Sequence, residues 1–180
     1  MKTTTKSKKH SRVTIREMAL RDLSDVYELG AQLFTAEKWP TLYRAWDEHE
    51  ILNLFNSESE YCLVAECDEV IVGFALGTMM RKPRNSWSYG WLLWLGVSPR
   101  FKRRGLGGRL INKLTDTFID DGARMMLVDT DAQNKTALGL FRKMGFADEM
   151  NHVYLSKNLH AHPRYIERTL DEEEWEDEIG

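Results

Sequence analysis

The chain has 180 residues, 42% of them hydrophobic and 29% charged, which suits one globular domain with a sizeable core. A net charge of −3 and a pI near 6.0 argue against a dedicated nucleic-acid binder. Cys62 and Cys67 make neither a disulfide framework nor a zinc pattern and read as buried free thiols, and no cluster of metal-ligand spacing occurs. No apolar run approaches the roughly 18 residues that cross a bilayer, and no hydrophobic stretch of a signal peptide follows the basic N-terminus. The expectation is a cytoplasmic protein with no membrane or nucleic-acid partner.

In chain order, residues 1–12 are rich in Thr, Lys and Ser and read as a disordered basic arm. Val13-Thr14-Ile15-Arg16 alternates as a strand. Asp22 or Ser24 then caps a helix with Leu23, Val26, Leu29, Leu33 and Phe34 at helical spacing. A second helix, around Glu48–Asn56, carries Ile51, Leu52, Leu54 and Phe55. The segment between them, Glu37–Trp46, holds two tryptophans, a tyrosine and Pro40. Glu60–Cys67 and Val70–Met80 form a hairpin through Asp68-Glu69. Gly73 and Gly77 inside its second strand mark a bulge or a close backbone approach. Arg81-Lys82-Pro83-Arg84-Asn85-Ser86 reads as a solvated basic turn, whose charge would also attract an acidic substrate.

Trp87–Val97 is a long apolar strand, and Pro99 stops it because proline cannot donate to a ladder. Lys102, Arg103 and Arg104 follow, and glycines at 105, 107 and 108 open a helix. Main-chain N–H groups without side chains in front of them, at the positive end of a helix dipole and beside three cations, make a phosphate-binding turn. It is not a Walker loop, which needs G-x-x-x-x-G-K-S/T. Nor is it a dinucleotide fingerprint, because position 110 is Leu110 rather than glycine. The spacing that fits is Q/R/K-x-x-G-x-G/A, here Lys102-Arg103-Arg104-Gly105-Leu106-Gly107. It resembles the acetyl-CoA pyrophosphate loop of the GCN5-related N-acetyltransferases (GNAT superfamily), and Leu95-Gly96-Val97-Ser98-Pro99 resembles the end of that family's fourth strand.

Beyond the glycines, Leu106, Leu110, Ile111, Leu114, Phe118 and Ile119 mark one face of an amphipathic helix that Gly122 ends. Met125-Met126-Leu127-Val128 is a short buried strand, parallel to the one before the helix. Asn134 begins another helix, with Ala137, Leu138, Phe141 and Met144 inward and Gly145 as its cap. Asn134-x-x-Ala137-x-x-Leu140-Phe141-x-x-x-Gly145-Phe146 is similar to the family's second cofactor motif. Val153-Tyr154-Leu155 is expected to close the sheet. Asp171–Glu178 packs seven acids into eight residues, a self-repelling run that is normally a solvated tail. A sharper possibility is that it folds onto the basic loop or recruits a basic partner.

The resemblance covers roughly Val13–Leu159 and is specific from Leu92 to Phe146. It implies an α+β fold: a mixed, mostly antiparallel sheet flanked by helices, with strands four and five splayed around the cofactor. The organisation expected is a basic arm (1–12), an acetyltransferase domain (13–160) and an acidic tail (161–180). The activity implied is direct transfer of an acetyl group from acetyl-CoA to an amine, with a homodimer common among relatives. The cofactor contacts implied are Leu95, Gly96 and Val97, then Lys102, Arg103, Arg104, Gly105, Leu106, Gly107 and Gly108, with Asn134 and Phe141. Acceptor contacts are expected at Trp39, Tyr43, Trp46 and Tyr89, with aromatic packing an equal account of the first loop. A backbone N–H near Gly96 or Val97 would hold the oxyanion.

The sequence departs from the family at two positions. Phe141 stands where the usual general acid is a tyrosine, and Leu92-Leu93-Trp94-Leu95 carries none of the acid many members place on strand four. Tyr154 as acid and Asp129 or Asp131 as proton acceptor are the substitutes. An α-amine, with a pKa near 7.7–8.0, needs less base help than a lysine near 10.4, which favours a protein or peptide N-terminus over other acceptors. Three alternatives stand beside that reading: a small-molecule amine acetyltransferase, a catalytically silent acyl-CoA-binding regulatory module, and an interaction protein that uses its charged ends.

Overall fold

Five apolar segments separated by turn chemistry form one sheet in the order β1 (Thr14–Glu17), β2 (Cys62–Cys67), β3 (Val70–Arg81), β4 (Ser88–Val97), β5 (Ala123–Val128). The coordinates are a computed structural model and describe residues 12–35, 37, 45–81, 87–150, 153 and 155–168. The first three pairings are antiparallel, and β4–β5 is parallel. A parallel neighbour needs a crossover, which is α3 (Leu106–Asp120). The chain divides into two compact units, residues 1–147 and 148–180.

Helices cover both faces of the sheet, which is why β2 and most of β3 are buried along their whole width. On one face α1 (Leu23–Leu33) and α2 (Glu48–Glu58) pack Val26, Leu29 and Ile51 against Val64, Phe74, Leu76 and Trp94. On the other, α3 sets Leu106, Leu110, Ile111, Leu114 and Phe118 on Leu63, Ala65, Val72, Ala75 and Leu92. Burial of each such side chain stabilises the fold by roughly 1.5–3 kcal/mol. A Cβ at Gly77 or Gly90 would lie 2.8 or 2.3 Å from the Phe118 ring, so these glycines let the ring lie on the backbone. α4 (Lys135–Lys143) adds Phe141 to the same cluster.

The β2–β3 turn has positive φ at both Asp68 and Glu69, the geometry of a tight primed hairpin. Both cysteines are buried and free. Burial, with Glu58 and Glu60 nearby, pushes the Cys62 thiol up to about 12. No helix among the described residues is long and apolar enough to cross a membrane.

Four expectations are corrected. Asp22 makes no cap hydrogen bond to α1; its carboxylate accepts from Ala19 N–H (2.7 Å) and two Arg16 nitrogens (2.6 and 3.0 Å). Ile119, in the last turn of α3, is exposed rather than part of the buried face. On α4 the inward set is Ala137, Leu140, Phe141 and Met144, with Leu140 in the place expected for Leu138. No sixth strand closes the sheet among the described residues: Val153 and Leu155 lie outside any strand, 81% and 92% exposed, and Tyr154 falls outside the described residues. In the unit after 147, residues 163–168 form a short helix in which the Arg168 guanidinium sits 5.8 Å from the Tyr165 ring centre.

Candidate active site

β4 carries an extra residue at its centre. Leu76 pairs with Trp94 and Gly77 with Leu92, so Leu93 has no partner on β3. Such a bulge bends a strand and reverses its alternation. Up to Leu92 the even positions face α3, with the Gly90 Cα against Phe118. After it Trp94 joins the α1–α2 side while Leu95 and Val97 face α3. The parallel ladder to β5 ends at Leu92↔Val128, one residue before the bulge. From Leu93 to Val97 the β4 edge that β5 had covered therefore has no strand beside it among the described residues.

Register decides which polar groups face that opening. Ser98 N–H donates to Val72 O at 2.9 Å. Antiparallel pairs alternate, so Gly96 and Trp94 likewise bond to β3, while the N–H and C=O of Leu95 and Val97 point into the gap. Gly96 sets its Cα against the α1–α2 face, where a Cβ would lie 2.5 Å from the Phe74 ring. Its N–H serves β3, which removes it as an oxyanion donor.

β4 stops at Val97, and a short helical turn over Pro99–Phe101 leads into the glycine loop. Arg103 (φ 62°) and Gly105 (φ 74°) are left-handed on either side of Arg104. Alternating handedness curls successive N–H groups into one concavity, an anion nest. The first helical bond is Arg109 N–H to Gly105 O, and no hydrogen bond among the described residues engages the N–H groups of 103–108. Gly107 and Gly108 lie under α4, where a Cβ would approach Leu140 to 3.2 Å and the Met144 sulfur to 3.1 Å. Lys102, Arg103 and Arg104 are exposed around the nest, with the Arg104 guanidinium 5.4 Å from the Phe101 ring centre. Arg109 is occupied elsewhere, donating to Val13 O at 2.9 Å.

Asn134 is the N-cap of α4: its Oδ1 accepts from Ala137 N–H (3.1 Å) and its Nδ2 donates to Thr130 Oγ1 (3.2 Å). Phe141 is buried against Phe146 and the α3 core, with ring centres 5.6 Å apart. Asp129 directly follows β5, and its Oδ1 accepts the Trp91 indole N–H at 3.0 Å. Asp131 holds the turn before α4 by accepting Gln133 N–H at 2.7 Å. Tyr89 lies next to Trp87 on the α1–α2 side of β4, ring centres 6.4 Å apart. Trp39, Tyr43 and Tyr154 fall outside the described residues. Trp46 packs against Phe74 and Trp94 and donates to Tyr27 O at 2.9 Å, which makes it part of the core beside α1. Gly30 leaves the space for it, since a Cβ there would lie 2.0 Å from its ring.

The perturbed phenol is elsewhere. Burial, then the hydrogen bond to Asp121, pushes Tyr61 up to about 12, and it packs under Phe118 away from the opened edge. Sequence reasoning missed the Leu93 bulge and the Trp91–Asp129 bond. The bulge left no signal, because Trp91–Leu95 is apolar at every position.

Solved N-acetyltransferases have this fold. The aminoglycoside N-acetyltransferase AAC(6')-Iy in complex with CoA superposes with a TM-score of 0.67 at 23% identity, over 84% of this chain and 99% of that one. Ard1 from Thermoplasma volcanium gives 0.62 at 23% identity, over 77% and 84%. The acetyltransferase (GNAT) family model matches residues 25–146, and the chain belongs to that family. Among curated relatives, N-alpha-acetyltransferase 30 of Xenopus laevis is 24% identical over 132 residues, and that of Homo sapiens 23%. The match takes in 73% of this chain but only 41% and 31% of those proteins, so the chain spans less than half of either.

Proposed function

We propose that the chain transfers an acetyl group directly from acetyl-CoA to a primary amine. The observation that carries this reading is the opened edge of β4 running straight into the nest at 103–108. A diphosphate in the nest places a pantetheine arm along the edge, where the Leu95 and Val97 main chain can pair with its amides as a neighbouring strand would. Four residues of strand, ~13 Å, separate Val97 from the bulge at Leu93, so the thioester arrives at the floor of the opening.

There a neutral amine attacks the thioester carbonyl carbon, and the C–N bond forms as the C–S bond breaks. The Leu95 N–H, the edge amide nearer the floor, donates to the developing oxyanion. Asp129, at the same floor, takes the proton the nitrogen must lose. Phe141 has no proton to give, so the sulfur leaves as thiolate or is protonated by Tyr154 or water. A thiol pKa of about 8.5 makes the unassisted departure tolerable.

The acceptor we favour is a protein or peptide α-amine. At pH 7.5 roughly a third of an α-amine is neutral against roughly a thousandth of a lysine ε-amine, an advantage of a few hundredfold for a site with one exposed carboxylate as its base. The names of the curated relatives agree with an α-amine. Small amines such as aminoglycosides are the second reading, favoured by the CoA-complexed enzyme that shares the fold. Thiol release from acetyl-CoA with matched α-amine and ε-amine peptides and an aminoglycoside tests the choice. The α-amine peptide should turn over fastest. Turnover of the lysine peptide alone would reverse the choice, and CoA binding without thiol release to any amine would establish a silent acyl-CoA module.

A further inference from the structure

We propose that Trp91 is a positioning residue for the transfer, holding the Asp129 carboxylate at the floor of the opened strand pair; this rests on the acetyl-transfer reading above. Trp91 pairs with Thr78 on β3 and Leu127 on β5, which fixes its backbone on both sides. Its indole reaches two residues along the neighbouring strand to Asp129 Oδ1, at 3.0 Å. Asp129 stands where the ladder has just ended, and the residue is exposed. An indole N–H donates and cannot accept. The bond therefore orients the carboxylate without competing for the amine's proton.

The bulge gives the pair its location. Tyr89, Trp91 and Leu93 share the α1–α2 side of β4, and Trp94, displaced by the bulge, continues on that side. Trp94 is committed to the core, donating to Glu50 Oε1 at 3.1 Å. Trp91 is thus the last indole before the opening whose N–H is directed at the residue that follows β5. General-base geometry tolerates little error: a carboxylate displaced by about 1 Å from the nucleophile can lose on the order of a hundredfold in rate.

The test is a double-mutant cycle in the full chain with Trp91→Phe and Asp129→Asn. Phenylalanine keeps an aromatic ring on the sheet and removes the donor; asparagine keeps an acceptor and removes the base. Trp91→Phe should lower kcat about tenfold, and Asp129→Asn about a hundredfold or more. The double variant should be no slower than Asp129→Asn alone, because the donor has no base left to orient. CoA affinity by calorimetry and Tm should stay close to wild type in Trp91→Phe. The loss in Trp91→Phe should be larger for an ε-amine peptide than for an α-amine peptide, a ratio that a purely structural role leaves unmoved. Unchanged kcat in Trp91→Phe, losses that multiply in the double variant, or a fall confined to Tm and CoA affinity overturns the assignment while leaving acetyl transfer intact. Absence of thiol release by the wild-type protein overturns both.

Discussion

The two sides of β4 are made of different materials. Toward α3 and α4 the candidate cofactor site is main chain: the Leu95 and Val97 edge, the nest at Arg103–Gly105, and the first amides of a helix. Toward α1 and α2 it is side chain: Tyr89, the Trp91–Asp129 pair and the packed rings of Phe34, Trp46, Phe74 and Trp94. A main-chain site needs only register, glycine and a strand stop, so it binds the same group whatever the neighbouring side chains are. A side-chain site depends on each residue's identity, and the acceptor preference proposed above would rest on it.

Replacing Phe118 attacks the shared scaffold and should have the largest effect. Phe118→Ala removes the ring that fills the space over Gly77 and Gly90 and should cost about 3–5 kcal/mol. A single melting transition shifted downward would show that the two sides fold as one unit; two separated transitions would break the comparison into independent halves.

A smaller effect should be confined to the α1–α2 side. The Asp22 carboxyl, 4% exposed, is held below the ordinary carboxylate range by Arg16, against the opposing cost of burial, with help from Ala19 N–H. A depressed carboxyl stabilises the fold fully above its unfolded pKa of about 3.9, and that stabilisation is lost as pH falls through the folded value. Asp22→Asn should cost about 2 kcal/mol at neutral pH and flatten the acid limb of stability measured by denaturant melts from pH 7 to 2. An unchanged acid limb would assign the acid sensitivity to other carboxylates.

The legible part of the molecule was the part made of punctuation. Pro99 after an apolar run, glycines at 105, 107 and 108, and the spacing of Leu106, Leu110, Ile111, Leu114 and Phe118 have one reading each. The Leu93 bulge was hidden because Trp91–Leu95 is apolar at every position, so a reversal of faces leaves no mark on the pattern. Trp46 resembled an acceptor contact because its loop is aromatic, and its contacts with Phe74 and Trp94, in the space Gly30 leaves, show that it packs on the core. Asp22 had the place and chemistry of a cap, but Arg16, six residues earlier and on a strand, claimed its carboxylate. Hydrogen bonds between side chains distant in sequence, such as Trp91 to Asp129, have no local signature.

The central claim is that the nest past Pro99 and the opened edge of β4 hold the diphosphate and arm of a coenzyme A thioester. Calorimetric titration with coenzyme A, on the wild-type chain and on Arg104→Glu, measures it directly. The account predicts saturable binding by the wild-type chain, weakened about tenfold or more by the charge reversal and less so at high salt. An absence of saturable heat from the wild-type chain at millimolar coenzyme A, or identical affinities for the two proteins, would contradict it.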